Sequence, residues 1–287
     1  MVGFGGKRVL KLNCSFVVNK IIIISHLRND DAQSGLRLYE DLNVIHKAES
    51  GLEVSYIDVM GIGDFLFQLE KIFKLCKWQY LRPILHFECH GDRDKGLEFR
   101  DGFLSWKYFG DRIREINYAT DNNLFVSLAT CFGINSYAVT LRHDRLCPAW
   151  YMVAPDERVE AGRLLDFYLD FYSVLSRCSD MELIEEVTQK HGVAKSIYSS
   201  RFIVLTVARY LNKLCRGKGK ASRVEDMVNL SKWMNADVRV SSIRKTRSMA
   251  KDFFRIDERV FIDITRRFLL DEERAGCSWE ELKAFLG

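Results

Sequence analysis

Four short runs of nearly unbroken apolar residues punctuate the first part of the chain. Lys20–Ser25 contains four consecutive isoleucines, and Pro83–Cys89, Leu124–Ala129 and Trp150–Val153 are almost as apolar. Short runs without polar alternation suit strands buried on both faces, the condition of a parallel sheet covered by helices. Leu52–Val59 reads as a fifth strand with a weaker pattern. Between the runs, Gly35–Ala48 and Gly63–Cys76 read as helices, the second placing Phe65, Leu69, Ile72 and Phe73 on one face at three- and four-residue intervals. Such alternation predicts an α/β sandwich, with a mostly parallel central sheet flanked by helices.

Asp101-Gly102, set between the apolar neighbours of Leu97–Leu104, predicts a hairpin, and Ser105 is placed to cap a helix extending to about Asn117. After Gly162 the pattern is helical almost throughout, beginning with Leu164–Leu175, and the parallel-sheet logic stops. The expected division is therefore an α/β domain over 1–179 and a smaller all-α region over 180–287. Charge shifts at the same place. Residues 181–287 hold 21 Lys/Arg against 15 Asp/Glu, and 190–251 hold 15 against 3. Arg216-Gly217-Lys218-Gly219-Lys220 reads as a flexible basic loop, while Trp233 and Phe253-Phe254 fall at helical spacing and read as core.

A composition of 47% hydrophobic and 29% charged residues with three prolines describes a packed globular chain. No stretch approaches the roughly 18 apolar residues a spanning helix requires, and no signal peptide is visible. Eight cysteines without a Cys-x-x-Cys pair are expected to be free thiols in a reducing compartment, so the expected location is cytoplasmic. His86, Cys89 and His90 are the nearest approach to a metal cluster. They lie on one strand whose alternate side chains face opposite ways, so Cys89 and His90 cannot easily share an ion.

The candidate chemistry lies at two strand ends, His86-Phe87-Glu88-Cys89-His90-Gly91-Asp92 and Ala129-Thr130-Cys131-Phe132-Gly133. Ligands of an open parallel sheet bind outside the carboxyl ends of its strands, so His90 and Cys131 are expected to meet at one rim. A cysteine becomes a strong nucleophile only as the thiolate, and a histidine is suited to take its proton and return it to a leaving amine. Gly91 lets backbone approach closely, so its N–H and that of Cys131 are the expected oxyanion donors. His86 is either a second orienting group for His90 or a satisfied core histidine. Glu88 requires solvent or a basic partner.

In these two segments the chain resembles the caspase-like cysteine peptidases, particularly their bacterial CHAT-type branch, in which one apolar strand ends in His-Gly and another in a small residue, Cys and Gly. His90 precedes Cys131 by 41 residues, near the roughly 50 quoted for caspases. The resemblance covers about 21–175 and includes Gln33-Ser34-Gly35 and the helix bearing Phe167-Tyr168 and Phe171-Tyr172. It implies a cysteine endopeptidase that uses a Cys131-His90 dyad, a thioester acyl-enzyme and no metal or organic cofactor. It further implies the proteolytic arm of a bacterial defence or programmed-death system, cutting a partner such as a pore-forming protein. By the same resemblance Gln33 and Ala129 line the pocket for the residue before the scissile bond. Neither is charged, so a neutral or apolar residue is expected there, with Asp30, Asp31 and Asp156 as nearby acids. The short stretch from Cys131 to Trp150 argues against activation by linker cleavage and for gating by the helical region or a bound partner.

Two other classes compete. A caspase-fold adaptor would keep these strand ends idle and bind a protein or nucleic acid, for which Arg244-Lys245-Arg247, Lys251 and the 213–220 segment supply cations. A redox-sensing thiol protein would need a resolving cysteine near Cys131, and Cys89 is the candidate. Cys14, Cys76, Cys89, Cys147, Cys178, Cys215 and Cys277 otherwise read as structural thiols.

Overall fold

The computed structural model describes residues 12, 16–49, 52–177, 180–234, 240–255 and 257–286. Cys14 and Cys178 lie outside them. The chain forms two compact units, one over Ser15–Ser199 and the other holding Ser200–Gly287.

The first unit is the expected α/β sandwich. Its strands are β1 (Lys20–His26), β2 (Glu53–Asp58), β3 (Pro83–Asp92), β4 (Gly96–Phe99), β5 (Gly102–Leu104), β6 (Phe125–Ala129), β7 (Tyr151–Ala154) and β8 (Lys195–Tyr198). Its helices are α1 (Ser34–Glu49), α2 (Ile62–Trp78), α3 (Trp106–Ala119), α4 (Asn135–Ala138), α5 (Ala161–Arg177) and α6 (Met181–His191). The sheet order is β2-β1-β3-β6-β7-β8. The first five of these are mutually parallel, and β8 pairs antiparallel with β7. The β4–β5 hairpin continues from the end of β3. Ile21 to Ile24, Phe87, Phe125, Leu128 and Tyr151 are buried, as strands covered on both faces require.

One face of the sheet packs against α2 and α3 through Phe65, Phe87 and Phe109. Phe87 meets Phe109 edge-on with centroids 5.1 Å apart, and Phe65 lies 5.7 Å from Phe87. Each such ring contributes roughly 1.5–3 kcal/mol by leaving water. The opposite face packs under α1 and α5, where Tyr168 and Tyr172 close over His86. The Ser105 hydroxyl caps α3 by accepting from the Tyr108 N–H at 3.3 Å, as expected. The turn into β6 places Asp121 and Asn122 at positive φ, residue types that tolerate it. Asn117 closes that turn, accepting from the Leu124 N–H and donating to the Asn122 side chain.

Two readings of the sequence are corrected here. The sheet does not end at β7: Lys195–Tyr198 adds an edge strand, and Tyr198 packs edge-on against Trp150 at 5.1 Å. Consequently α6 and β8 belong to the α/β unit, and the division falls at Ser199–Ser200, not near Asp180. Four residues with mixed exposure give β8 no apolar run to recognise.

The second unit contains α7 (Ser199–Leu214), α8 (Gly217–Met234), α9 (Val240–Phe253), α10 (Glu258–Leu269), a 3-10 turn at Glu273–Ala275 and α11 (Trp279–Leu286). The segment read as a flexible loop is the start of α8. Gly217 takes φ +49°, and a Cβ on Gly219 would collide with the Lys213 carbonyl, so the two glycines make a tight turn between helices. Phe254 is core, packing with Val224 and Ala250, but Trp233 and Phe253 are 83% and 71% exposed. The 3.6-residue period puts the latter two on outward faces of α8 and α9.

Candidate active site

The parallel register of β3 and β6 sets Glu88 beside Ala129, and one further step along both strands brings Cys89 to Thr130, whose Sγ and Oγ1 lie 3.4 Å apart. Beyond them come His90 and Cys131. Gly91 seals this juncture, because a Cβ there would collide with the Cys131 carbonyl oxygen and would stand 2.6 Å from the Thr130 methyl. The loops past the two strands are tied as well. The Asn135 amide donates to the Arg93 carbonyl at 3.1 Å, and the Arg93 guanidinium lies 5.2 Å from the centre of the Phe132 ring.

Cys131 opens a sharp turn. Phe132 is buried at φ +60°, a conformation that costs a non-glycine residue about 1 kcal/mol or more and persists where packing enforces it. Gly133 N–H donates to Thr130 O, and Phe132 N–H donates to Glu157 O. Among the described residues no backbone hydrogen bond takes up the Cys131 N–H. The half-buried Cys131 thiol points at the Val159 carbonyl in a long contact of 3.8 Å.

His90 is 45% exposed at its side chain, and its Nε2 lies 2.8 Å from Asp31 Oδ2. A carboxylate accepts, so Nε2 carries the hydrogen, and Nδ1 is the nitrogen left to face a proton donor. Asp31 belongs to the loop between β1 and α1. Its Oδ2 also accepts from the Arg28 N–H at 2.7 Å. Partial burial acts to raise the Asp31 carboxyl, but the Arg28 N–H and the His90 ring outweigh it and hold the group below the usual carboxylate range.

Directly beneath lies a buried polar network. Glu88 accepts from Ser34 Oγ at 2.8 Å and lies 3.2 Å from His86 Nε2. His86 Nδ1 is 2.8 Å from Ser127 Oγ and 3.2 Å from the Tyr172 hydroxyl, which are 2.6 Å from each other. His86 and Ser34 are thus the partners of Glu88. Gly35 at the start of α1 lets this helix end approach: a Cβ there would stand 2.9 Å from Glu88 Cγ. A carboxyl beside a helix N-terminus is favoured by the exposed N–H groups.

At this rim the Gly91 and Cys131 backbones meet, with His90 one residue before Gly91; the His90 ring contacts Asp31 and the Cys131 thiol the Val159 carbonyl. The pocket residues are placed differently. Ala129 is buried within the sheet. The Gln33 amide turns into its own loop, donating to the Arg28 carbonyl at 2.8 Å and the Asp31 carbonyl at 3.2 Å. Asp156 is exposed, on a loop whose Pro155 and Glu157 carbonyls accept from Ile134 and Phe132. The residue that sequence reasoning underrated is Asp31, named only as an acid near the pocket. Its position just past β1, on the same rim as His90, was the available signal.

Cys76, Cys89, Cys147 and Cys215 are buried, unlike Cys131 and Cys277. Burial pushes Cys76, Cys89 and Cys147 each up to about 12, so they stay protonated at neutral pH. Cys89 is therefore a poor resolving thiol. Among the described residues no group of three or more His, Cys, Asp or Glu is placed to hold a metal ion, and no helix is long and apolar enough to cross a membrane.

Fold and site together define an α/β protein with a histidine and a cysteine at the carboxyl ends of adjacent parallel strands. No family model and no curated protein matches the chain.

Proposed function

We propose that the protein is a cysteine endopeptidase of the caspase-like, CHAT-type kind, acting through Cys131 and His90. The observation that supports this reading is the close approach of the Gly91 and Cys131 backbones past the ends of adjacent parallel strands. His90 Nδ1 takes the thiol proton, and the thiolate adds to the carbonyl carbon of a peptide bond. The oxyanion is met by the N–H groups of Gly91 and Cys131. The amine leaves with the proton from His90, giving a thioester on Cys131. His90 then deprotonates a water molecule that cleaves the thioester, restoring the thiol and releasing the carboxylic acid.

The expectation of a neutral or apolar residue before the scissile bond rests on the resemblance alone, because Ala129 lies inside the sheet and the Gln33 amide is engaged in its own loop. The resemblance supports a cytoplasmic enzyme of a bacterial defence or programmed-death pathway with one dedicated protein substrate. A regulatory partner of acidic surface fits the second unit, where exposed Trp233 and Phe253 accompany Lys232, Arg244, Lys245 and Lys251 on α8 and α9. The same features support the rival reading, an idle fold that acts by binding a partner or nucleic acid.

Labelling with a leucine-bearing peptide electrophile, read by mass spectrometry, separates the two. The expected result is modification of Cys131 far faster than of Cys147 or Cys277, with the difference abolished in His90→Ala. Equal rates at all three in the presence of candidate partners would replace the peptidase with the binding module.

A further inference from the structure

We propose that Asp31 is a positioning residue that fixes the ring of His90 with Nε2–H on the carboxylate and Nδ1 open to the Cys131 thiol. This rests on the reading of Cys131 and His90 as nucleophile and base, and it extends a dyad by a third member from the β1–α1 loop.

The loop is clamped on both sides of Asp31. Its Oδ2 accepts from the Arg28 N–H, and the Gln33 amide spans the Arg28 and Asp31 carbonyls. Downstream, Ser34 and Gly35 are seated on Glu88. Upstream, the Arg28 guanidinium donates to Glu98 Oε1 at 2.6 Å, and Glu98 is the residue opposite His90 in the β3–β4 ladder. That ion pair matters for the assignment. The carboxylates that the fold sets near His90 include Asp31 on the loop, Glu98 opposite it on β4 and Glu88 two residues earlier on β3, with the Arg28 guanidinium on Glu98. Glu98 is engaged by Arg28, and Glu88 by His86 and Ser34. Asp31 remains as the carboxylate that contacts His90.

A carboxylate at Nε2 does two things that a solvent molecule does not. It selects one neutral tautomer, and it stabilises the imidazolium that forms when the thiol proton arrives. In a serine triad the asparagine substitution at the corresponding carboxylate costs about 10⁴-fold by reversing the tautomer. A thiol is intrinsically more acidic than a hydroxyl, so a smaller loss is expected, on the order of tenfold or more at neutral pH.

The test is the pH profile of Cys131 alkylation by iodoacetamide, a probe small enough to need no substrate pocket. It is measured on the full chain from about pH 4 to 10 for wild type, His90→Ala, Asp31→Asn, Asp31→Ser and Asp31→Glu, with thermal melting of each. Wild type is expected to keep reacting below the pH at which an ordinary thiol stops, and His90→Ala to follow an ordinary thiol. Asp31→Asn is expected to move the rising limb toward that of His90→Ala, and Asp31→Glu to restore most of the wild-type profile. An Asp31→Asn chain that melts normally and keeps the wild-type limb overturns the role of Asp31 and leaves the dyad standing. A wild-type Cys131 that titrates as an ordinary thiol, unaffected by His90→Ala, removes the dyad and the positioning role with it. Should Asp31→Asn unfold, seen as labelling of Cys89 and Cys147, the profile of folded Asp31→Ser decides: a limb moved toward that of His90→Ala supports the role, and a wild-type rate and limb overturns it.

Discussion

A methyl group at position 91 would run into the Cys131 carbonyl on one side and the Thr130 methyl on another. Neither obstacle is the movable end of a long side chain, so the strand ends must separate, and with them His90 and Cys131. Gly91→Ala is therefore expected to lower stability by about 1–3 kcal/mol, the usual cost of overpacking, and to reduce Cys131 alkylation in the fraction that stays folded. Gly63→Ala is the matched control. A Cβ there meets nothing within 4 Å, and alanine suits the helix better. If Gly91→Ala melts and labels as Gly63→Ala does, the close approach of the two strand ends is not what holds the site. At this scale His90, Gly91 and Cys131 were legible because each ends or follows an apolar run. Asp31 was not, because Asp30 and Asp31 are equivalent in sequence, and only the loop bonds of Arg28 and Gln33 select between them.

Four of the five parallel strands were readable because burial on both faces demands continuous apolar residues, and chemistry at their ends inherits that clarity; β2, at the sheet edge and partly exposed, gave the weaker pattern. Segments held by position alone were opaque. β8 has no apolar run, and the basic glycine segment that opens α8 is shaped by a close approach to Lys213. The start of α1 is a similar case, since its place over the sheet depends on a buried polar contact that no periodicity reports. Ser34→Ala leaves one oxygen of the buried Glu88 carboxyl without its hydroxyl donor. Losing one partner of a buried polar group costs about 1–3 kcal/mol, which for a unit of this size lowers the melting temperature by roughly 2–4 °C per kcal/mol. Calorimetry on Ser34→Ala checks this. An unchanged midpoint would mean that Glu88 is satisfied by His86 and solvent, and that α1 is anchored by apolar packing alone.

At the scale of the molecule the question is where the α/β unit stops, and buried polar atoms answer it more directly than helical pattern does. Ser199, just past β8, donates its N–H to the Trp150 carbonyl at 3.0 Å, and its hydroxyl bridges the Ala149 carbonyl and the buried Tyr137 hydroxyl. A chain cut after 179 loses these partners together with α6 and β8. It leaves the Tyr137 hydroxyl unpaired, one edge of β7 bare and the flank of Trp150 uncovered. An open apolar strand edge is a template for association. A chain cut after 199 keeps every one of these contacts. The fragment 15–199 is accordingly expected to be folded and monodisperse on size exclusion, with cooperative thermal unfolding, and the fragment 15–179 to aggregate or unfold. Equal behaviour of the two would place the boundary near Asp180 after all, and would make α6 and β8 an appendage of a sheet that is already complete at β7.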